Sequence, residues 1–401
     1  MNTIRIEDVP VKRHGLLKHP PSLDLSKKIT KPINQGLCGS CWAISTSQCL
    51  RDRINGFRNT PIPNLSFQYI IDCAHNCVTF QGRQGCALNC NGGFLVTSYN
   101  FLQKRGTTRE DFHPNRHSDE KGEDHIDGVG SSKSSCPSNV GKEILYTCNG
   151  FYNVHLFADT FGITNARMKA LSKTPEQLKA NADNIAEEIH LNGPVAVCFN
   201  MFSDFKAFWL NPNSASIIYE IGWQLPYETR QNINPVGNVE WTTSTGPYGI
   251  FFKTGHSVSI VGYGVAIVEG RSVPYWICRN SWGTPGNTHN AGFFKIRKGI
   301  NCSAIEGDVC ACSVDASLAN SFSSFNLFNT LAPAGAPIME YKQSDQQTHP
   351  MYRITNNIFT ISVYVCVILA ILACYWYHTR NRNKVIFLNA RQLGGIPPSR
   401  L

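Results

Sequence analysis

The chain has no apolar segment at its start. Met1 to Pro10 holds only isolated apolar residues, so the hydrophobic stretch of a secretory signal is missing. Concentrated charge is scarce as well. The 37 Lys and Arg against 28 Asp and Glu give a net +9 over 401 residues, and the basic side chains are scattered apart from a cluster near the C-terminus. That distribution argues against a nucleic-acid surface and describes a mildly basic, solvated one. No internal repeat is present, and no pair of histidines accompanies the closely spaced cysteines, which weakens a zinc site.

Cysteine, by contrast, is abundant. Sixteen in a chain of this length exceed what an ordinary cytosolic protein carries and point to disulfides. Cys73-x3-Cys77 and Cys86-x3-Cys90 are spaced too loosely for good zinc ligation. Disulfides explain them better, and although spacing alone does not give the connectivity, Cys136 or Cys148 for Cys73 and Cys86 for Cys77 are the candidate partners. Setting aside Cys41, Cys366 and Cys374 leaves an odd number, so a further thiol stays free or pairs between chains.

Ile358 to Tyr377 carries no formal charge and is rich in Ile, Val, Leu and Ala. As a helix it is long enough to cross a bilayer, and no polar stripe marks it as a buried core helix. Tyr375, Trp376 and Tyr377 followed by Arg380, Arg382 and Lys384 resemble an interfacial border. The expected organisation is a short segment (1–20), a domain (21–314), a Ser-, Asn- and Pro-containing stalk (315–353), a transmembrane helix (354–377) and a basic tail (378–401). The basic tail favours a cytoplasmic C-terminus, whereas the missing signal leaves nothing to carry the domain across. The two signals conflict.

Within the domain the first half reads as helix. Cys41 to Ile54 places Ala43, Ile44, Leu50 and Ile54 on one face, with Trp42 beside them. Ser66 can cap a helix through Ile71, and Gly93 to Lys104 is helical up to a stop at Gly106. Thr174-Pro175-Glu176-Gln177 has the form of a capping box with Pro at the first helical position. The second half reads as strand: Val195–Phe199, His256–Val261, Tyr275–Cys278 and Gly292–Ile296. Helices followed by strands predict an α+β fold of two lobes with a site between them.

Cys41 carries the chemistry. Cys38-Gly39-Ser40-Cys41 also fits a redox C-x-x-C pair, but no buried strand precedes it, and the His256 and Asn280 segments would go unexplained. A thiol that attacks a carbonyl must ionise, and both a helix N-terminus and an imidazolium lower its pKa. His256 can supply the imidazole. Asn280 can accept its remaining N–H, and Trp282 can shield that contact. The Gln35 amide and the Cys41 N–H are the expected donors to a developing oxyanion.

The strings Gln35…Cys38-Gly39-Ser40-Cys41-Trp42, Gly255-His256 and Asn280-Ser281-Trp282-Gly283 resemble the papain/cathepsin family of cysteine peptidases, cathepsin B-like members most of all. Cys90-Asn91-Gly92-Gly93, Asn192-Gly193-Pro194-Val195 with Phe202 to Phe205, and Asn290 to Ile296 extend the resemblance over about residues 21 to 312. It implies a papain-like fold with a helical left lobe and a β-barrel-like right lobe, polypeptide substrates and no cofactor or metal. It also makes Cys38 a half-cystine, with Cys90 as its partner. Gly92 and Gly93 would line the substrate cleft with Trp282, and Asp308 would place an acid at the base of the S2 pocket, so that basic P2 residues are accepted beside apolar ones.

Several features depart from the family. His256 follows Cys41 by 215 positions (256 − 41), where about 130 to 150 is usual, so insertions are expected at 107–170 and 210–254. Only about 20 residues precede the apparent mature start, too few for a globular prosegment. His113, His117 and His125 are not adjacent, which favours endopeptidase over dipeptidyl carboxypeptidase action. The architecture suggests a single-pass membrane protein, of the virion membrane of a large DNA virus or, alternatively, of an endolysosomal membrane. The competing expectation is an inactive, membrane-tethered binding or structural protein that keeps the fold.

Overall fold

Helix α1 (Cys41–Gly56) is followed in the first half by α2 (Phe67–Cys73) and α3 (Leu95–Lys104), then by α4 (Pro175–Asn192), α5 (Phe205–Trp209) and α6 (Tyr227–Ile233). The strands are β1 (Thr3–Arg5), β2 (Leu23–Asp24), β3 (Cys77–Phe80), β4 (Arg83–Cys86), β5 (Gly150–Asn153), β6 (Val195–Phe202), β7 (Ile218–Tyr219), β8 (Phe252–Val268), β9 (Arg271–Arg279), β10 (Phe293–Arg297), β11 (Val309–Ser313) and β12 (Glu340–Tyr341). These come from a computed structural model that describes residues 3–15, 19–56, 61–80, 83–116, 136, 145–156, 173–233, 247–284, 291–314 and 340–341. The expected span at 354–377 and the tail lie outside the described residues, as does the stalk apart from β12. Among the described residues no helix is long and apolar enough to cross a membrane.

The helix starts follow their local chemistry. Thr174 Oγ1 accepts from the Gln177 N–H at 3.3 Å, while Gln177 Oε1 accepts from the Thr174 N–H at 2.9 Å, closing the box ahead of Pro175. Ser66 Oγ accepts from the Tyr69 N–H at 3.0 Å and starts α2, which runs two residues past Ile71. α3 begins at Leu95, later than Gly93, because Phe94 is extended (φ −121°, ψ 145°) and stands at the N-cap position.

The strands form two sheets. β1 runs parallel to β3, and β3 antiparallel to β4, in a small one. The large sheet has the order β5-β11-β6-β8-β9-β10-β7, with β2 and β12 also paired to β8. In the β6–β8 register Phe199 faces His256 and Cys198 faces Ser257. One core gathers Trp42, Leu50, Phe67 and Tyr99; the other gathers Phe199, Phe205, Phe208, Trp276 and Phe294.

The single apolar face expected for α1 is a correction. Ser45, Thr46, Ser47, Gln48, Asp52 and Arg53 are buried alongside Trp42, Ala43, Ile44 and Leu50. The helix is wedged between the two cores, so its polar side meets protein instead of water. Buried polar groups need partners, and they have them. Asp52 Oδ2 accepts from Arg279 at 2.7 Å, and Arg53 donates to Glu188 at 2.9 Å and to the Gly193, Pro194 and Cys312 carbonyls.

Disulfides join Cys38 to Cys90, Cys73 to Cys136 and Cys77 to Cys86. The first is the pair that the resemblance implied, the second decides between Cys136 and Cys148, and all four cysteines weighed as zinc ligands are oxidised. Eight further cysteines are free among the described residues.

Candidate active site

Cys41 is the first residue of α1. The loop before it is pinned by the Gly39 N–H donating to the Cys90 carbonyl at 2.8 Å. A Cβ on Gly39 would lie 2.4 Å from that oxygen, so glycine is needed for the loop and its disulfide to meet. Ser40 and Trp42 are buried, and Cys41 between them keeps partial exposure.

His256 comes from β8, which packs directly against α1. Its Nε2 lies 2.8 Å from Asn280 Oδ1, the contact expected from the sequence. Asn280 follows β9 and is held by its N–H donating to the Gly292 carbonyl at 3.0 Å. The Trp282 ring lies 4.9 Å from the imidazole, tilted 31°, over a pair that is almost wholly buried. Trp282 is in turn packed by Phe205 and Trp209 of α5. Asp204 anchors that helix, accepting from the Tyr219 hydroxyl at 2.8 Å and the Gly222 N–H at 2.7 Å.

Gln35 meets this group through Ser281, a residue the sequence reading quoted but gave no role. The Gln35 N–H donates to the Ser281 carbonyl, and the Ser281 hydroxyl donates to Gln35 Oε1. The Ser281 N–H donates to Asn280 Oδ1 at 2.8 Å. One serine thus holds both the imidazole's acceptor and the side chain expected to donate to an oxyanion. Gln35 Nε2 gives one hydrogen to the Cys38 carbonyl at 2.8 Å; an amide nitrogen carries two.

Burial enters the electrostatics of Cys41 beside the helix start and imidazole expected from the sequence. Burial pushes its thiol above the ordinary value, and hydrogen bonds from the Ser257 N–H and hydroxyl and from the Trp42 N–H only oppose that rise. Desolvation of the sulfur outweighs the neutral donors around it. Ionisation therefore calls for a full positive charge nearby.

Gly93 packs on Trp42, whose indole a Cβ there would meet at 2.6 Å, whereas Gly92 has open space above it. Asp308 precedes β11, and its carbonyl accepts from the Cys198 N–H at 3.0 Å. Burial pushes the Asp308 carboxyl up to about 7. Of the three loop histidines, His113 is committed to Asp72 at 2.8 Å, beside the Arg116–Asp72 ion pair; His117 and His125 lie outside the described residues. A cavity of about 650 Å³ bordered by Lys31, Asn34, Arg51 and Glu110 contains none of the residues expected to react. Among the described residues no group of side chains is arranged to hold a metal ion.

The model of a family described as papain family cysteine protease matches residues 19–211 and 243–316. The unmatched stretch falls inside the insertion expected at 210–254. The chain is 28% identical over 298 residues to "Cathepsin B-like CP2" of Giardia intestinalis, covering 72% of each chain. It is 26% identical over 291 residues to pro-cathepsin H of Bos taurus, covering 72% of this chain and 62% of that one. It therefore spans less than two thirds of the bovine protein. Among solved structures it is similar to procathepsin B S9 of Trypanosoma congolense, with a TM-score of 0.50 and 18% identity over 77% of this chain and 83% of that one. At that identity the likeness shows the fold alone.

Proposed function

The chain belongs to the papain family of cysteine proteases, and from that premise we propose that it is a membrane-anchored cysteine endopeptidase. Its nucleophile is Cys41. With Nε2 engaged by Asn280, the imidazole Nδ1 of His256 is the nitrogen that exchanges a proton with the thiol. The imidazolium formed supplies the positive charge that the buried sulfur needs. The thiolate adds to the peptide carbonyl, and the Gln35 amide and Cys41 N–H receive the oxyanion. The imidazolium then protonates the leaving amine, and water, deprotonated by His256, releases the acyl group from Cys41.

The observation that carries this reading is the 2.8 Å contact of His256 with Asn280 beneath Trp282, on the strand packed against the helix that Cys41 opens. Endopeptidase action is favoured because His113 is spent on Asp72 and so is not poised as a receptor for a substrate C-terminus. Asp308 is assigned to the S2 pocket. The anchor rests on the uncharged run from Ile358 to Tyr377; resistance to alkaline extraction from membranes, lost on deleting 354–401, tests it, and protease protection reads its orientation.

A peptidyl epoxide that alkylates thiolates tests the chemistry. Labelling at Cys41 that disappears in a folded His256→Ala variant is expected. No labelling of the folded parent protein would favour a binding protein that keeps the fold without the reaction.

A further inference from the structure

His256 and Ser257 are neighbours on β8 and point to opposite faces, as successive strand residues do. His256 lies against Phe199 and Trp282, whereas Ser257 faces α1. Two residues on, Ser259 repeats that approach. Its hydroxyl donates to the Ser45 carbonyl at 3.4 Å and accepts from Cys49 Sγ at 3.4 Å. Cys41, Ser45 and Cys49 form one helical stripe at four-residue spacing, so Cys41 meets Ser257 as Ser45 meets Ser259. With α1 packed on β8 in this way, the Ser257 hydroxyl and N–H are the groups of β8 that oppose the rise of the Cys41 thiol.

A second thiol stands behind this serine. Cys198 faces Ser257 in the β6–β8 register, with Sγ 3.3 Å from the hydroxyl oxygen. Burial and the nearby Asp308 carboxylate hold Cys198 well above the ordinary thiol range, so it remains S–H and has a proton to donate into that contact. A hydroxyl that accepts from one side has its own proton directed to the other.

We propose that Cys198, Ser257 and Cys41 form a hydrogen-bond chain in which the Ser257 hydroxyl donates to the Cys41 thiolate and Cys198 positions that hydroxyl. The proposal rests on Cys41 being the nucleophile. The imidazolium gives the sulfur its counter-charge, and the serine gives it a directed donor on the opposite side. The donor favours the anion over the thiol, since hydrogen bonds to charged groups are the stronger ones. It therefore sets the pH at which Cys41 ionises.

The test is the pH profile of Cys41 alkylation by iodoacetamide in the full chain, read at the Cys41 peptide by mass spectrometry, beside hydrolysis of a fluorogenic peptide. Ser257→Ala is expected to move the acidic limb up by about one pH unit, which is tenfold less thiolate at a fixed pH on that limb. kcat should fall in proportion there, with KM unchanged. Cys198→Ala should shift the limb less, in the same direction, and Ser257→Thr and Cys198→Ser, which keep the donors, should stay near the parent. A parental profile in folded Ser257→Ala overturns the proposal. If that variant does not fold, indistinguishable profiles for Cys198→Ala and Cys198→Ser overturn it. A parent Cys41 that titrates like a free thiol and ignores His256→Ala overturns the peptidase reading instead, and the Ser257 shift is still read on the same curves.

Discussion

Gln35 and Ser281 are joined twice across the junction of the lobes: the Gln35 N–H donates to the Ser281 carbonyl at 2.8 Å, and the Ser281 hydroxyl donates to Gln35 Oε1 at 2.5 Å. The second bond fixes which end of the Gln35 amide turns toward Ser281 and which toward the loop before Cys41. With Oε1 held by Ser281, Nε2 points to the Cys38 carbonyl at 2.8 Å and has a second hydrogen for the proposed oxyanion.

Ser281→Ala should therefore act through Gln35. Losing an oxyanion donor outright costs about a hundredfold or more in kcat, and loosening one should cost about tenfold, with KM little changed. Steady-state kinetics of Ser281→Ala, Gln35→Ala and the double variant check this. If the two effects multiply fully, the residues are not acting as one unit.

The Cys38–Cys90 disulfide closes a separation of 52 residues immediately before the nucleophile. Constraining a loop of that length in the unfolded chain is worth about 3–4 kcal/mol. Cys38→Ser with Cys90→Ser should lower the denaturation midpoint accordingly. It should also slow Cys41 alkylation more than heating the parent to equal marginal stability does, because the Gly39–Cys90 bond positions the same loop. A variant that is less stable but alkylates at the parental rate would separate the disulfide from the site.

Much of this was legible in the sequence because it is local. The Thr174 box and the Ser66 cap depend on residues three apart, and the Cys41, His256, Asn280 and Gln35 segments each carry their own signature. The parts that escaped depend on register between distant segments. Nothing in Asn280-Ser281-Trp282 says that Ser281 would meet Gln35, and Cys198 is an ordinary strand residue until β6 pairs with β8. The same cause hid the burial of both sides of α1, since periodicity shows one apolar face and not a second neighbour. The surroundings of the Cys41 thiol depend on the same packing: the helix start and the imidazole were foreseen, whereas the burial that pushes the thiol up and the Ser257 donors that oppose it arise only when β8 lies against α1.

Glu188 ties the N-terminal segment to both cores. Burial alone would raise its carboxyl, but Arg53, His14, Lys12 and Tyr152 overcome that and pull it down to about 2 from an ordinary 4.5. A carboxyl depressed in the folded state contributes stability above its unfolded value and loses it as pH falls. The loss should run from about pH 4.5 down through 2. Glu188→Gln should flatten the acid limb of a stability-versus-pH curve in that window, and at neutral pH it should cost about 3–5 kcal/mol by stranding buried Arg53. An unchanged acid limb would place the titrating group elsewhere.

Asp308 has the opposite sign. Burial raises its carboxyl from 3.8 to about 7, so below that pH the proposed S2 pocket carries a neutral acid and above it a carboxylate. The preference for Arg over Leu at P2, measured as a ratio of kcat/KM values, should rise as pH passes through about 7. Taking the ratio cancels the titration of Cys41 and His256, which both substrates share. Asp308→Asn should make the ratio independent of pH, with the loss falling on the Arg substrate. Stability offers a second reading of the same proton. Between 3.8 and about 7 the unfolded chain releases it while the native chain keeps it, so rising pH costs the parent stability through that window and no further above it. The Asn variant should lack that decline. A ratio still sloped in Asp308→Asn, or equal loss on both substrates, would remove Asp308 from the pocket.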